Sequence, residues 1–293
     1  MIDGALLVDK PVGVTSNFAL QKVKRLLEAA KAGHAGTLDP LASGLLIALF
    51  GEATKFAGLL LESDKEYLAT VKLGETTATG DAEGKVLEQK EVSVTERQVD
   101  EALARFQGEI EQVPPMHSAL KRDGVPLYRL ARRGESVERQ PRRVRILELE
   151  LLDFKKPLLN IRVRCSKGTY VRTLAEDIGA ALGCGAHLAG LRRTGSGRFR
   201  VDDAAPVAAL ETMAPPERRA RVIGLDALLV DLPRVDLDAA LAAKLRNGQS
   251  LSLQALSEGV SAVYGPDGAL IGIGRAEAGT LHPLRLTQVA EKG

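Results

Sequence analysis

The sequence predicts an α/β (α+β) chain in which strands and helices alternate, followed by a small β-rich module. Three observations carry this. Leu159, Ile161, Val163 and Cys165 alternate with Asn160, Arg162, Arg164 and Ser166, the period of a half-buried strand. Val23, Leu26, Leu27 and Ala30 recur at helical spacing. Near the end, "VSAVYG" and "ALIGIG" are short apolar runs bounded by Gly, as in a small β unit. At about 150 residues per domain, 293 residues suggest two domains. Hydrophobic residues make up 45% of the chain and net charge is only +2, which excludes a disordered protein.

The elements follow in order. Ala5–Asp9 reads as a strand, and "KPVGVTS" as a turn with a helix cap at Thr15 or Ser16. Gly44–Phe50 is continuously apolar, which suits a buried strand, and "KEYLATVKLG" (65–74) alternates. "TERQVDEALARF" opens with Thr95 and Gln98 at capping-box spacing. "PPMHSALKRDGVPLYRLARRG" begins with a Pro-Pro stop and holds a short helix ending at Gly134; its charge and turn residues suggest a projecting arm, mobile without a partner. The strand "VRILELELL" (144–152) shifts its alternation near Ile146–Leu147, the mark of a bulge. "KGTYVRTLAEDIGAALG" turns into a helix ending near Gly183. Pro and charge accumulate around Ala214–Arg221, and a loose boundary falls near Leu232.

Charge is uneven. From Lys121 to Arg145 there are nine Lys or Arg against three acids, and Arg192, Arg193, Arg198 and Arg200 follow with no acid among them. A basic stripe on a near-neutral protein suggests a phosphate-backbone footprint, although one such run alone is more often a solvated face. Cys165 and Cys184 are too few for a disulfide framework and lack zinc spacing, so both are expected to be reduced and structural. The N-terminus has no basic region before a long apolar run, and no apolar run approaches the ~18 residues of a membrane span. These features predict a cytoplasmic protein with no membrane contact.

Several chemistries are excluded by motif. There is no P-loop, no GxGxxG, no HExxH or other metal constellation, and no GxSxG elbow. What remains is "GHAGTLDPLASG" (33–44), where Asp39 is the only carboxylate among small and apolar residues. Taken alone, Asp-Pro reads as a turn initiator with Asp39 capping it. Three further segments change the balance: "CSKGTYVRT" (165–173), "CGAHLAGLRRTGSGRF" (184–199) and "KPVGVTS" (10–16).

Together these segments resemble the TruB family of bacterial tRNA pseudouridine synthases. The resemblance runs from "LLVDKPVGVTS" through "GHAGTLDPLASGLL", "KEYLATVKLG", "TATGDAEG" and "PPMHSALKRDGVPLYRLAR" to "CSKGTYVRTLAEDIG" and "CGAHLAGLRRTGSGRF", in the family's order over nearly all of the first ~200 residues. His117 departs from the aromatic that many members carry before "SA". The C-terminal part resembles a PUA-type RNA-binding barrel through "LRNGQSL" and its Gly-rich strands.

The resemblance implies a mixed, largely antiparallel pseudouridine-synthase-like sheet with flanking helices. It implies a catalytic unit over residues 1–232, with a basic RNA-binding arm at about 114–145, and a PUA-like barrel over 233–293. The implied reaction isomerises uridine 55 in the TΨC loop of tRNA, without cofactor or metal. Asp39 is the implied catalytic group. Cleaving a glycosidic bond builds positive charge on the sugar. A carboxylate beside C1′ can stabilise that charge, bond to it, or take a proton from the sugar. One acid suffices because the leaving base stays bound as the next nucleophile. Arg172 would keep Asp39 charged. The buried uridine must be flipped out. Tyr67 would stack on it and help move the C5 proton, Tyr170 and Leu191 would line the pocket, and His34 would fill the vacated space in the RNA. Lys10 would brace the catalytic loop. Arg192, Arg193 and the arm would hold phosphates. No oligomer is implied, so a monomer is expected. The alternatives are a non-catalytic tRNA-binding or tRNA-folding protein on the same scaffold, or a hydrolase of nucleosides or glycosides. The Asp39–Tyr67–Arg172 set argues against the first. A hydrolase would want a second positioned acid or a metal cluster, which the sequence does not offer.

Overall fold

A computed structural model describes residues 2–118, 120–253 and 256–288, with the side chain of Arg132 also left out of the description. Its centre is a ten-stranded mixed sheet. Ala205–Pro206, Gly4–Lys10, Ala42–Phe50, Ala186–Ser196, Lys65–Leu73, Leu158–Cys165, Arg142–Lys155 and Gly108–Gln112 lie side by side in that order. Ala32–Ala35 pairs beside Ala42–Phe50, and Phe199–Arg200 beside Ala186–Ser196. Only the pairings of Gly4–Lys10 with Ala205–Pro206 and of Ala42–Phe50 with Ala186–Ser196 are parallel, so the sheet is largely antiparallel, as expected.

Local sequence explains the elements. Ala42–Phe50 runs through the sheet interior, and its residues from Gly44 to Phe50 are all buried, which is why its pattern is a continuous apolar run instead of an alternation. Leu158–Cys165 is buried on one face only and alternates. The bulge expected near Ile146 is present: the register against Leu158–Cys165 shifts between Ile146 and Glu148. The helix Ser16–Leu26 is capped by Thr15, whose hydroxyl accepts the Phe18 N–H at 3.1 Å. Val23 and Leu27 are buried, but Ala30 of the expected apolar face is exposed, because the helix ends at Leu26 and Glu28 takes a left-handed φ of 55°. The helix Glu96–Ala104 has the expected capping box of Thr95 and Gln98. Helix Val171–Ala181 packs on Ala186–Ser196. Gly179 makes this possible, since a Cβ there would fall 2.2 Å from the Ala186 nitrogen.

The arm from 114 to 145 carries a hairpin, Lys121–Arg122 with Val125–Pro126, and a short helix, Leu127–Arg132. Leu127 anchors it, buried to 4% exposure, while Lys121, Arg122, Arg129, Arg142 and Arg145 face solvent.

The C-terminal strands form a second sheet of their own, in the order Arg234–Asp236, Gly259–Tyr264, Leu270–Glu277, Thr280–Leu286 and Leu251–Ser252. Its two edge strands do not pair among the described residues, so it curls as a half-barrel. It is not packed in isolation. Ala262, Tyr264 and Ile273 share a hydrophobic cluster with Phe56, Leu60, Leu228 and Leu229 of the larger unit.

Candidate active site

The stretch around Asp39 folds as a loop between strands Ala32–Ala35 and Ala42–Phe50. Sequence dictates its anchors. Gly36 turns the chain at φ 89°, a conformation L side chains rarely adopt. Leu38 inserts into the interior at 3% exposure. Its backbone is gripped by the buried Ser16 hydroxyl, which accepts the Leu38 N–H at 2.7 Å and donates to the Leu38 carbonyl at 2.9 Å. Gly13 N–H reaches the Pro40 carbonyl at 2.8 Å, which ties the "KPVGVTS" turn to the same loop. Lys10 holds that turn from beneath. Fully buried, it donates to the carbonyls of Pro11 at 2.9 Å and Val14 at 2.7 Å. Burial lowers its ammonium to about 8, against the opposing pull of Asp39.

The Asp39 carboxylate is not spent on capping its own turn. It lies 3.0 Å from Arg172 Nη2. The Arg172 side chain is only 8% exposed, whereas that of Asp39 is 43% exposed. The acid therefore has a buried cation on one side and open space on the other. Arg172, in the first turn of its helix, is itself fixed four ways. Besides Asp39, it meets Asp81 at 3.5 Å and donates to the carbonyls of His117 at 2.7 Å and Thr79 at 3.3 Å. The contact at His117 is made by its backbone, so the departure from an aromatic leaves this bond untouched.

Two cavities meet at Asp39. One, of about 340 Å³, is lined by Asp39, Tyr67, Tyr170, Leu191, Arg172 and Arg193. The other, of about 550 Å³, is lined by Asp39, His34, Asp81, Glu83 and Tyr128 among others. Tyr67, Tyr170, Leu191, Arg172 and Asp39 thus come together in the first. His34 stands with Asp39 in the second. The His34 Nδ1 is buried without a hydrogen-bond partner, and burial, then the charge of Arg193, keeps the ring below its ordinary pKa. Burial raises the phenols of Tyr67 and Tyr170. Among the described residues no group of three or more His, Cys, Asp or Glu is arranged to hold a metal ion.

Sequence reasoning misplaced one residue. Arg193 was expected at a phosphate, but it is 2% exposed, and its guanidinium donates inward to the carbonyls of Leu45 at 2.7 Å and Gly36 at 3.1 Å. It is not presented on the outer surface, where backbone phosphates would lie. Arg192 points the other way and is held by both oxygens of Asp9, at 3.0 and 2.7 Å. Three residues were missed. Asp81 lies within the quoted "TATGDAEG" but carried no assigned role. Ser16 was read only as an alternative helix cap. Gln112, 2% exposed, accepts the Tyr170 N–H at 3.0 Å and donates to its carbonyl at 3.3 Å, and nothing in its sequence context announces this.

Comparison with known proteins finds matches along nearly the whole chain. Residues 24–171 match the model for the TruB family pseudouridylate synthase N-terminal domain. Residues 172–240 match the tRNA pseudouridylate synthase B C-terminal domain, and 233–287 the C-terminal model of pseudouridine synthase II TruB. The chain is 56% identical over 292 residues to the tRNA pseudouridine synthase B of Burkholderia mallei (strain NCTC 10247), covering 97% of each chain. It is 54% identical over 291 residues to that of Dechloromonas aromatica (strain RCB), covering 99% of this chain and 97% of the other. Among solved structures, one chain of a Cbf5-Nop10-Gar1 complex superposes with a TM-score of 0.71 at 27% identity, covering 93% of this chain and 78% of the other.

Proposed function

The chain belongs to the TruB family of pseudouridylate synthases, and from that premise we propose how its site acts. The enzyme isomerises uridine to pseudouridine in tRNA. The uridine is that of position 55 in the TΨC loop, and it enters the site flipped out of the RNA. The observation that carries this reading is the Asp39–Arg172 pair, a half-open carboxylate on a buried guanidinium where two cavities join.

The reaction breaks the C1′–N1 bond, turns the base, joins C5 to C1′, and ends with one proton lost from C5 and one gained at N1. Asp39 faces the sugar, where its charge meets the positive charge developing at C1′. Arg172 holds it in place. The flipped base occupies the cavity of Tyr67, Tyr170 and Leu191, stacked on the Tyr67 ring, which also assists removal of the C5 proton. His34, across Asp39 in the second cavity, takes the place the base leaves in the RNA. Lys10 braces the loop and takes no part in the bond changes.

The arm supplies phosphate contacts. Among the described residues no carboxylate lies within 4 Å of Lys121, Arg129, Arg142 or Arg145, so their charge is available to an anion. We divide the chain into a catalytic unit, 1–232, and an RNA-binding unit, 233–293, and place the enzyme in the cytoplasm, as a monomer, where its substrate is. No helix among the described residues is long and apolar enough to cross a membrane. The test is incubation of purified protein with an unmodified tRNA transcript and no added cofactor, followed by base-resolved pseudouridine mapping. Conversion at position 55 supports the reading. An unchanged transcript that binds but does not react favours the tRNA-folding alternative.

A further inference from the structure

We propose that Arg193 is a positioning residue for Tyr67: from the floor of the cavity its guanidinium fixes the phenol and supplies the positive charge against which the Tyr67 oxygen accepts the C5 proton. This rests on the isomerisation reading above.

The geometry comes first. Arg193 and Tyr67 are direct partners across the antiparallel strands Ala186–Ser196 and Lys65–Leu73, so their side chains leave the sheet on the same face, side by side. Both line the cavity that holds Asp39. The guanidinium is anchored from behind by the carbonyls of Leu45 and Gly36. Glycines make room for the Arg193 side chain at one point and for its backbone at another. A Cβ on Gly36 would stand 3.1 Å from Arg193 Nη1, and one on Gly44, the partner of Arg193 on the other neighbouring strand, would fall 2.3 Å from the Arg193 carbonyl oxygen.

The electrostatics are unusual. Among the described residues no carboxylate lies within 4 Å of Arg193, although a buried charge is ordinarily paired. A purely structural role in filling this space would be served at less cost by a neutral side chain. The polar neighbour on the cavity side is the Tyr67 phenol. Burial pushes that phenol up, and the charge of Arg193 opposes the rise. Cys165 on the opposite strand and Asp39 in the loop also act on it, both raising it. Lys65 on its own strand, with His117, Lys167, Tyr170 and Arg172, completes the titratable and charged lining. Lys65 is committed to the carbonyls of Leu61 and Ser63, so Arg193 is the cation that meets the phenol.

In the step concerned, the C5–H bond breaks with its electron pair returning to the ring. The Tyr67 phenol first yields its proton to water, and the phenolate so formed takes the C5 proton. N1, freed from ribose, takes the proton that the water holds, so phenol and water are both restored and one proton has moved from C5 to N1.

The experiment uses the full chain with Arg193→Met and Arg193→Lys, checked by melting curves. Tyrosine carrying ¹³C at Cζ reports each phenol's titration without RNA; the chain has four tyrosines, and Tyr67→Phe identifies the signal. In Arg193→Met the Tyr67 titration should move up by about 1–3 pH units. Single-turnover conversion of tRNA should fall on the order of a hundredfold, with tRNA affinity unchanged. Arg193→Lys keeps a charge that burial can remove, as it lowers Lys10 and Lys65 to about 8. The ratio of its rate to wild type should therefore fall as pH rises from 7 through 9. A folded Arg193→Met whose Tyr67 titration is unmoved, or a variant whose whole loss is in tRNA affinity, overturns the proposal. If the Met variant does not fold, a pH-independent ratio for Arg193→Lys overturns it. Should the wild type fail to isomerise tRNA at all, the functional reading falls, while the phenol titration still decides whether Arg193 governs Tyr67.

Discussion

Ser16 grips both backbone polar groups of Leu38 with one hydroxyl, accepting the N–H at 2.7 Å and donating to the carbonyl at 2.9 Å. The residue after Leu38 is Asp39, so the first helix sets the position of the carboxylate through a single buried oxygen. Ser16→Ala leaves both groups buried and unpaired. It should cost roughly 1–3 kcal/mol of stability. Turnover should fall by more than tRNA affinity, because the loop loses its register against Arg172. Urea denaturation and single-turnover kinetics check this; an alanine variant with wild-type stability would show that the grip carries nothing.

Arg172 lies between two acids that differ in burial. The Asp39 side chain is 43% exposed and that of Asp81 only 5%. Arg172→Ala therefore strands a buried carboxylate at Asp81 and should destabilise by about 3–5 kcal/mol. Adding Asp81→Asn to Arg172→Ala should recover part of that stability but none of the rate. If the second substitution further destabilises the first, Asp81 is not the group left unpaired.

Most of the fold was legible where one physical rule acted alone. The alternation of Leu159–Cys165, the capping box at Thr95 and Gln98, and the bulge at Ile146 are local, and the structure has all three. That Asp39, Tyr67 and Arg172 line one cavity was legible through family resemblance more than through spacing, since they are distant in sequence. Arg193 was misread because a basic run looks the same whether its side chains face water or the interior. Only the strand partners of Arg193, with Gly44 on one side and Tyr67 on the other, reveal the direction. Gln112 and Ser16 escaped for a related reason: each acts on backbone atoms of a segment far along the chain.

Lys65 offers a test by pH. Its ammonium is lowered from 10.5 to about 8, by burial first and then by the charge of Arg193. Between those values the unfolded chain holds more protons at this residue than the folded chain, so its contribution to stability rises with pH. The limit is about 1.4 kcal/mol per pH unit. In Lys65→Met that rise is absent, and stability should climb less steeply than in wild type from pH 8 to 10. Denaturation curves at several pH values measure the difference; parallel curves would contradict the assignment.

The arm makes a prediction about salt. If Lys121 and Arg129 meet phosphates, tRNA affinity should fall steeply with salt. Replacing both by Ala should then flatten the log–log slope by about 0.9 for each duplex phosphate no longer neutralised, or about 0.7 for each single-stranded one. Affinity would drop without change in the rate of bound tRNA. A slope equal to wild type would remove the arm from the footprint.

The central claim is that Asp39 performs the chemistry, and the most direct measurement is single-turnover conversion of uridine 55 by Asp39→Asn. The amide keeps the size of the side chain, so the cavity and the fold should persist, as a melting curve would verify. It lacks the charge that faces the sugar and is a poor nucleophile and base. The account predicts background conversion with tRNA binding retained, since affinity comes from phosphates and the stacked base. A folded Asp39→Asn that still makes pseudouridine near the wild-type rate would contradict it.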